Sequence, residues 1–302
     1  MLVEQVRKLK PIDRLLYWIN ERYRVFQFKQ AGKDKPWTDD KVIQNVYFTC
    51  PYREDDKTTA WLRDNIREPL RNQPEVIFAT IAFRWFNLIE TGEQLLKYPG
   101  KTTISSKRYG AFVDWNLAAV KSRLHGIQEH GGKVFTGAFN ISNSGSTKPK
   151  IDRVCDDYIQ PVWLQREQLC KQLGDCGTLE EAHKILRELP GLGGSGFMAA
   201  QIVCDLKYTY VLENAEDWWT WCSPGPGSKR GLNRLLERPI DSIFSKEEWR
   251  LEISKLQIIV NKSLRKMPKF HAQDLQNCLC EMDKYIRVLF NEGQSKRKYP
   301  GI

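Results

Sequence analysis

Apolar residues recur along most of this chain at the three- and four-residue spacing of a helix with one buried face. Helices are expected over residues 11–29, 56–70, 75–90, 110–130, 152–173, 178–188, 195–206, 228–237, 246–265 and 271–291. Capping chemistry agrees at two of them. Thr178 precedes "LEEAHKILREL" with Glu181 three residues on, and Ser245 stands before "KEEWRLEISKL" in the same way. Strand signals are scarce, and only "KVFTGAFNI", Lys133 to Ile141, reads as a short β segment. Loops are expected at "QAGKDKPWTDD", "KYPGKTT", "NSGSTKPK" and "CSPGPGS", where glycine, proline and small polar residues cluster. No repeat or long low-complexity tract interrupts the pattern. The fold class expected is all-α, with residues 1–302 as a single helical unit.

With 302 residues, 41% of them hydrophobic and 28% charged, the chain has enough material for a substantial core. No run approaches the ~18 consecutive apolar residues of a membrane span, and the charged N-terminal stretch lacks the apolar centre of a signal peptide. The expectation is a cytoplasmic protein with no membrane contact. Eight cysteines occur without a Cys-x-x-Cys pair or zinc-ribbon spacing, so they read as reduced thiols and no metal site is assigned. The sharper alternative, a site pairing Cys278 or Cys280 with His271, is the weaker reading. His125, His130, His183 and His271 show no ligand-like spacing.

A net charge of +10 favours a polyanionic partner, most simply nucleic acid. Its distribution strengthens that reading. Arg230, Arg234 and Arg238 follow one another at four-residue steps and form one stripe on a helix face. "KLQIIVNKSLRKMPK" and the tail "SKRKY" are also basic.

Between two of the helices stands "LPGLGGSG", Leu189 to Gly196. Proline ends the first helix, and glycine supplies the positive φ of a tight turn. Bare N–H groups at the start of the second helix suit a phosphate. A plain glycine-rich turn between helices is the alternative. The Leu-Pro-Gly-Leu-Gly run resembles the helix-hairpin-helix hairpin of DNA-repair glycosylases, here spanning 178–206. The resemblance implies two helical lobes with a cleft, and a backbone-phosphate grip at Leu189, Gly191, Gly193, Gly194 and Ser195, with Arg234 alongside. In those glycosylases a catalytic aspartate follows the hairpin, and Asp217 lies 28 residues after Leu189. Their hairpin lysine is absent, which disfavours a lyase.

Six stretches in order, "PWTDDKVIQNVYFTCPYREDDKTTAWL", "FRWFN", "FTGAFNI", "LPGLGGSGFMAAQIVCDLKY", "PGPGSKRGL" and "LCEMDKYIR", look like the amino acid:DNA transferase family, also called alpha-glutamyl/putrescinyl thymine pyrophosphorylase. The resemblance implies a viral enzyme that transfers an amino acid or amine onto 5-pyrophosphoryloxymethyl-uracil in double-stranded DNA. Pyrophosphate would leave, and the enzyme would work downstream of a 5-hydroxymethyluracil DNA kinase inside an infected cell. Asp217, with Asp205 second, would handle the incoming amine. Trp218 and Trp219 would stack on the flipped base. Gly225, Gly227, Ser228, Lys229, Arg230, Arg53, Arg84 and Asn87 would hold the pyrophosphate, and whether magnesium accompanies it is left open by the residues. Glu54, Asp55 and Glu281 are weaker acid–base candidates. Two rivals stay open on the residues alone. One is a glycosylase acting on modified thymine, and the other a non-catalytic DNA-binding accessory module.

Overall fold

A computed structural model describes residues 3–98, 102–104, 107–137, 141 and 145–293. Its helices of eight or more residues are α1 (Pro11–Gln30), α2 (Glu75–Phe86), α3 (Ile89–Leu96), α4 (Leu117–Glu129), α5 (Arg166–Gly174), α6 (Leu179–Glu188), α7 (Phe197–Leu206), α8 (Pro226–Leu235), α9 (Lys246–Ser263) and α10 (Ala272–Leu289). Among the described residues the only sheet is the two-residue pairing of β1 (Thr103–Ile104) with β2 (Lys107–Arg108). The fold is all-α. No described helix is long and apolar enough to cross a membrane.

The chain forms two compact units. One is continuous, Lys57–Trp218, and the other joins Met1–Asp56 to Trp219–Ile302. In the discontinuous unit, α1, α8, α9 and α10 surround an aromatic centre. Phe48 meets Trp18 and Tyr285 edge-on at 5.9 and 6.1 Å, and Tyr52 stacks on Phe270 at 4.4 Å. Asp40 is fully buried there and fully used. Its Oδ1 accepts from Val42 N and Ile43 N, which caps the short helix Lys41–Asn45. Its Oδ2 accepts from the hydroxyls of Tyr17 and Tyr285.

In the continuous unit, α2 is buried on every face from Val76 to Phe86, as a helix apolar all round must be. It stops where Asn87 enters the left-handed region at φ 46°, and its N–H closes the helix on the Phe83 carbonyl. The expected helix 75–90 is therefore two helices, α2 and α3. The expected helix 152–173 is likewise divided. A π-helical turn runs Arg153–Ile159, the segment Gln160–Leu164 contains Pro161, which has no N–H to give, and α5 follows. The expected helix 110–130 begins only at Leu117, because the Asn116 side chain caps it there. The β segment expected at 133–141 is not a strand over 133–137. Thr91 Oγ1 and Thr136 N tie that stretch to the helices, donating to Val134 O and Phe86 O. Residues 138–140 of it, and the basic tail "SKRKY", lie outside the described residues.

Candidate functional site

The turn between α6 and α7 is built from glycines with separate duties. Gly191, at φ 77°, sits against the stacked rings of Trp85 and Tyr158, which are 4.7 Å apart. A Cβ there would lie 2.7 Å from Trp85 and 2.9 Å from Tyr158. Leu189 and Leu192 are buried beside it. Gly194 and Ser195 are exposed, and Gly193 is half-buried. Two α6 side chains hold the turn. His183 Nε2 donates to the Gly196 carbonyl at 3.0 Å, and Arg187 Nη2 reaches the Gly194 carbonyl at 3.4 Å. Burial pushes the His183 imidazole below its ordinary value.

Asp217 belongs to the same construction. Its Oδ1 accepts from Leu179 N at 2.6 Å and its Oδ2 from Glu180 N at 3.2 Å, so it covers two of the open N–H groups at the start of α6. Thr178 adds the expected capping box with Glu181. Burial raises the Asp217 carboxyl above the usual range, with the Leu179 N–H pulling it back.

Three expected site residues meet in one buried group. Asp205 takes both Arg84 Nε at 2.6 Å and Arg84 Nη2 at 2.8 Å. Arg84 Nη1 donates to Asn87 Oδ1 at 2.8 Å, and Nη2 also reaches Thr59 Oγ1 at 3.1 Å. Two residues along, buried Lys207 donates to the Trp218 carbonyl, with Nζ 3.9 Å over that ring. Trp218 Nε1 donates back to Lys207 O at 2.6 Å. Arg67, also buried, lies 4.5 Å over Tyr208. The sequence reading did not single out Thr59, Arg67 or Lys207, although "CDLKY" already set a charged pair inside an apolar run.

In the discontinuous unit, "PGPGS" is a helix start. Gly225 N donates to Ser228 Oγ, which donates to the Gly225 carbonyl and accepts from Gln276 Nε2. Ser228 is fully buried. Gly227 faces Cys280, where a Cβ would lie 2.5 Å from the sulfur. Lys229 is half-buried beside them. The arginine stripe divides. Arg230 and Arg234 turn to Asp283, while Arg238 turns to Glu248 and the Ile243 carbonyl. Trp219 is 47% exposed and meets the His271 ring edge-on at 4.4 Å. Arg53 is buried, with Glu54 at 3.8 Å, and its backbone N–H donates to Asp274 Oδ1. Asp274, Asn277 and Glu281, spaced along one face of α10, hold the segment 49–53 by its backbone. Asp274 and Asn277 were missed, although their helical spacing was readable. All eight cysteines are free, and among the described residues no group of three or more His, Cys, Asp or Glu could hold a metal ion.

Comparison with known proteins changes the functional reading. The chain matches the family described as "5-hmdU DNA kinase, helical domain" over residues 10–295. It is 25% identical over 305 residues to a 5-hmdU DNA kinase of Bacillus phage SP10, an alignment covering 92% of this chain and 45% of that protein. The chain thus spans less than half the length of the curated relative it matches. No solved structure matches. The resemblance to amino acid:DNA transferases and the glycosylase rival are therefore set aside. So are amino-acid or amine transfer, release of pyrophosphate, and a place downstream of a 5-hydroxymethyluracil DNA kinase. The kinase once placed upstream names the family of the chain itself. The physical reason for the error is visible in the motifs. Gly191, Gly227 and Ser228 solve backbone problems, close packing and helix capping, and such solutions do not specify a reaction.

Proposed function

Since this chain belongs to the 5-hmdU DNA kinase helical-domain family, we propose that it serves the phosphorylation of 5-hydroxymethyl-2′-deoxyuridine in DNA, as the helical part that holds the duplex and presents the modified base. The match over residues 10–295 carries this reading. The net charge of +10 supports it. The reaction forms a bond between the hydroxymethyl oxygen and the phosphorus of a nucleoside triphosphate. The hydroxyl proton goes to a base, and the nucleoside diphosphate leaves.

The α6–α7 turn is assigned the helix-hairpin-helix role, with Gly193, Gly194 and Ser195 facing the DNA backbone. Asp217, on the N–H groups of Leu179 and Glu180, positions that hairpin. Asp205, fully buried with both oxygens on Arg84, is assigned a positioning role, holding Arg84, Asn87 and Thr59 in one group. Trp219 is the exposed ring available for stacking on a base. Magnesium would arrive with the triphosphate. Among the described residues no three His, Cys, Asp or Glu side chains are grouped to hold it. The phage origin of the relative supports action inside an infected bacterial cell as part of this reading.

The test is incubation with a nucleoside triphosphate and duplexes carrying either 5-hydroxymethyl-2′-deoxyuridine or thymidine, followed by mass spectrometry of the released nucleosides. One added phosphoryl group on the hydroxymethyl nucleoside alone is expected. A protein that forms no such product and binds neither duplex would remove the reading.

A further inference from the structure

Helices α8 and α10 approach each other through glycine. A Cβ on Gly231 would lie 2.1 Å from the Leu279 carbonyl oxygen, and one on Gly227 would lie 2.5 Å from Cys280 Sγ. That approach sets Arg230 and Arg234, one turn apart on α8, against Asp283 of α10. The next turn of α10 carries Arg287. Asp283 is 1% exposed. Its Oδ2 accepts from Arg230 Nε at 3.0 Å and its Oδ1 from Arg234 Nε at 2.9 Å, while Arg287 Nε stands 3.4 Å from Oδ2.

Arg230 and Arg234 bond the carboxylate through Nε, the nitrogen nearest the stem, and Arg287 turns the same nitrogen toward it at ion-pair distance. The terminal Nη groups are left for other partners. Arg234 gives Nη2 to Glu292 at 2.5 Å and is 17% exposed. Arg230 and Arg287 make no other hydrogen bond or ion pair among the described residues, and their side chains are 37% and 36% exposed. Arg230 is hydrogen-bonded at its base to the buried carboxylate, Arg287 stands within ion-pair reach of it with Nε unbonded, and both are open at the tip. Stability alone gives no reason for this arrangement. One guanidinium is enough to neutralise Asp283, and with Glu292 counted the group still carries net positive charge. Cations crowded together repel, and an anion shared between them relieves that repulsion. A guanidinium fork matches the spacing of phosphate oxygens.

We propose that Arg230 and Arg287, positioned by Asp283, grip a phosphodiester of the DNA backbone. The proposal rests on the reading that this chain holds DNA, and it adds a second grip in the unit that does not contain the α6–α7 turn. It also gives Gly227 and Gly231 a purpose. Without their close packing the α8 arginines would not reach the α10 carboxylate. The contact carries no base information, so it holds any sequence alike.

The experiment measures affinity for unmodified duplexes of unrelated sequence over a series of salt concentrations, for the parent and for the double variant Arg230→Gln, Arg287→Gln. The slope of log affinity against log salt should become shallower by roughly one, the size of one lost phosphate contact, equally on each duplex. A folded double variant with the parental slope overturns the site. A second measurement needs no variant. Arginine modification of the parent by phenylglyoxal, mapped by peptide mass, should be blocked at Arg230 and Arg287 by duplex DNA but not by inorganic phosphate at equal phosphate concentration. Protection by inorganic phosphate alone, or none by duplex, rejects the backbone assignment. No triphosphate or modified base is present, so failure of phosphorylation leaves these results standing. A protein that binds duplex with both arginines unprotected loses only this site.

Discussion

Asp205 in the continuous unit and Asp283 in the discontinuous one are equally hidden, with 0% and 1% of their side chains exposed, yet their arginine partners are not. Arg84 is as buried as the carboxylate it serves, and every one of its guanidinium nitrogens has a partner in Asp205, Asn87 or Thr59. Around Asp283 three arginines share one carboxylate, and two of them keep their far ends in solvent. The first arrangement closes on itself, as a buried pair must to offset its desolvation. The second has more cation than it can use internally. An ion pair therefore says little about purpose until the direction of each unpaired N–H is known.

The most damaging way to break the comparison is Asp205→Asn. It leaves the Arg84 charge buried and uncompensated, at a cost of about 3–5 kcal/mol. Urea unfolding should show the loss, and a change below about 1 kcal/mol would mean that the pair is not structural. Gly231→Ala comes next. The new methyl meets the Leu279 carbonyl, and the helices must separate, at about 1–3 kcal/mol. The salt slope of DNA binding should weaken together with stability. Loss of stability with an unmoved slope would separate the packing from the proposed grip.

The smallest effect sharpens the comparison with a third carboxylate, which contacts only backbone. Asp217→Ala removes the cover from Leu179 N and Glu180 N and should cost about 0.5–2 kcal/mol, whereas Asp217→Asn, still a good cap, should cost far less. The raised carboxyl of Asp217 gives a sign to the pH dependence. As pH rises from below the ordinary carboxylate range, the unfolded chain ionises first. Stability of the parent relative to Asp217→Asn should then fall, until the folded carboxyl has ionised too. Denaturant midpoints of both proteins across that range would show it, and a parent that gains on the variant as pH rises contradicts the assignment.

What could be read in the sequence follows from how local each cause is. Helices α1, α9 and α10 were legible within about two residues of their ends, because their apolar spacing is a property of the segment itself. Thr178 and Ser245 cap as expected for the same reason. The break at Asn87 was not legible, since the apolar run continues through it and only the backbone shows the left-handed residue. In the candidate site, the α6–α7 turn announced itself by its glycines, and Arg84, Asn87 and Asp205 were named, though their meeting was not foreseen. Asp283 and Arg287 lie inside the quoted stretch "LCEMDKYIR" but were not singled out, because the arginines that give Asp283 its meaning are 53 and 49 residues away. The six ordered stretches led to the wrong family because they report shared ways of packing a backbone.

One arrangement has a consequence for synthesis. The continuous unit, Lys57–Trp218, has all its residues once Trp218 has left the ribosome, while the other unit is not complete until α10, ending at Leu289, has followed. At ~5–20 residues per second, the segment with Leu15, Trp18 and Ile19 waits on the order of ten seconds or more for the helices that cover it. During that interval these side chains are targets for chaperones that bind exposed apolar segments. Slowing translation between Trp218 and Leu289 should lengthen chaperone capture of nascent chains, and leave the folding of the Lys57–Trp218 unit unchanged.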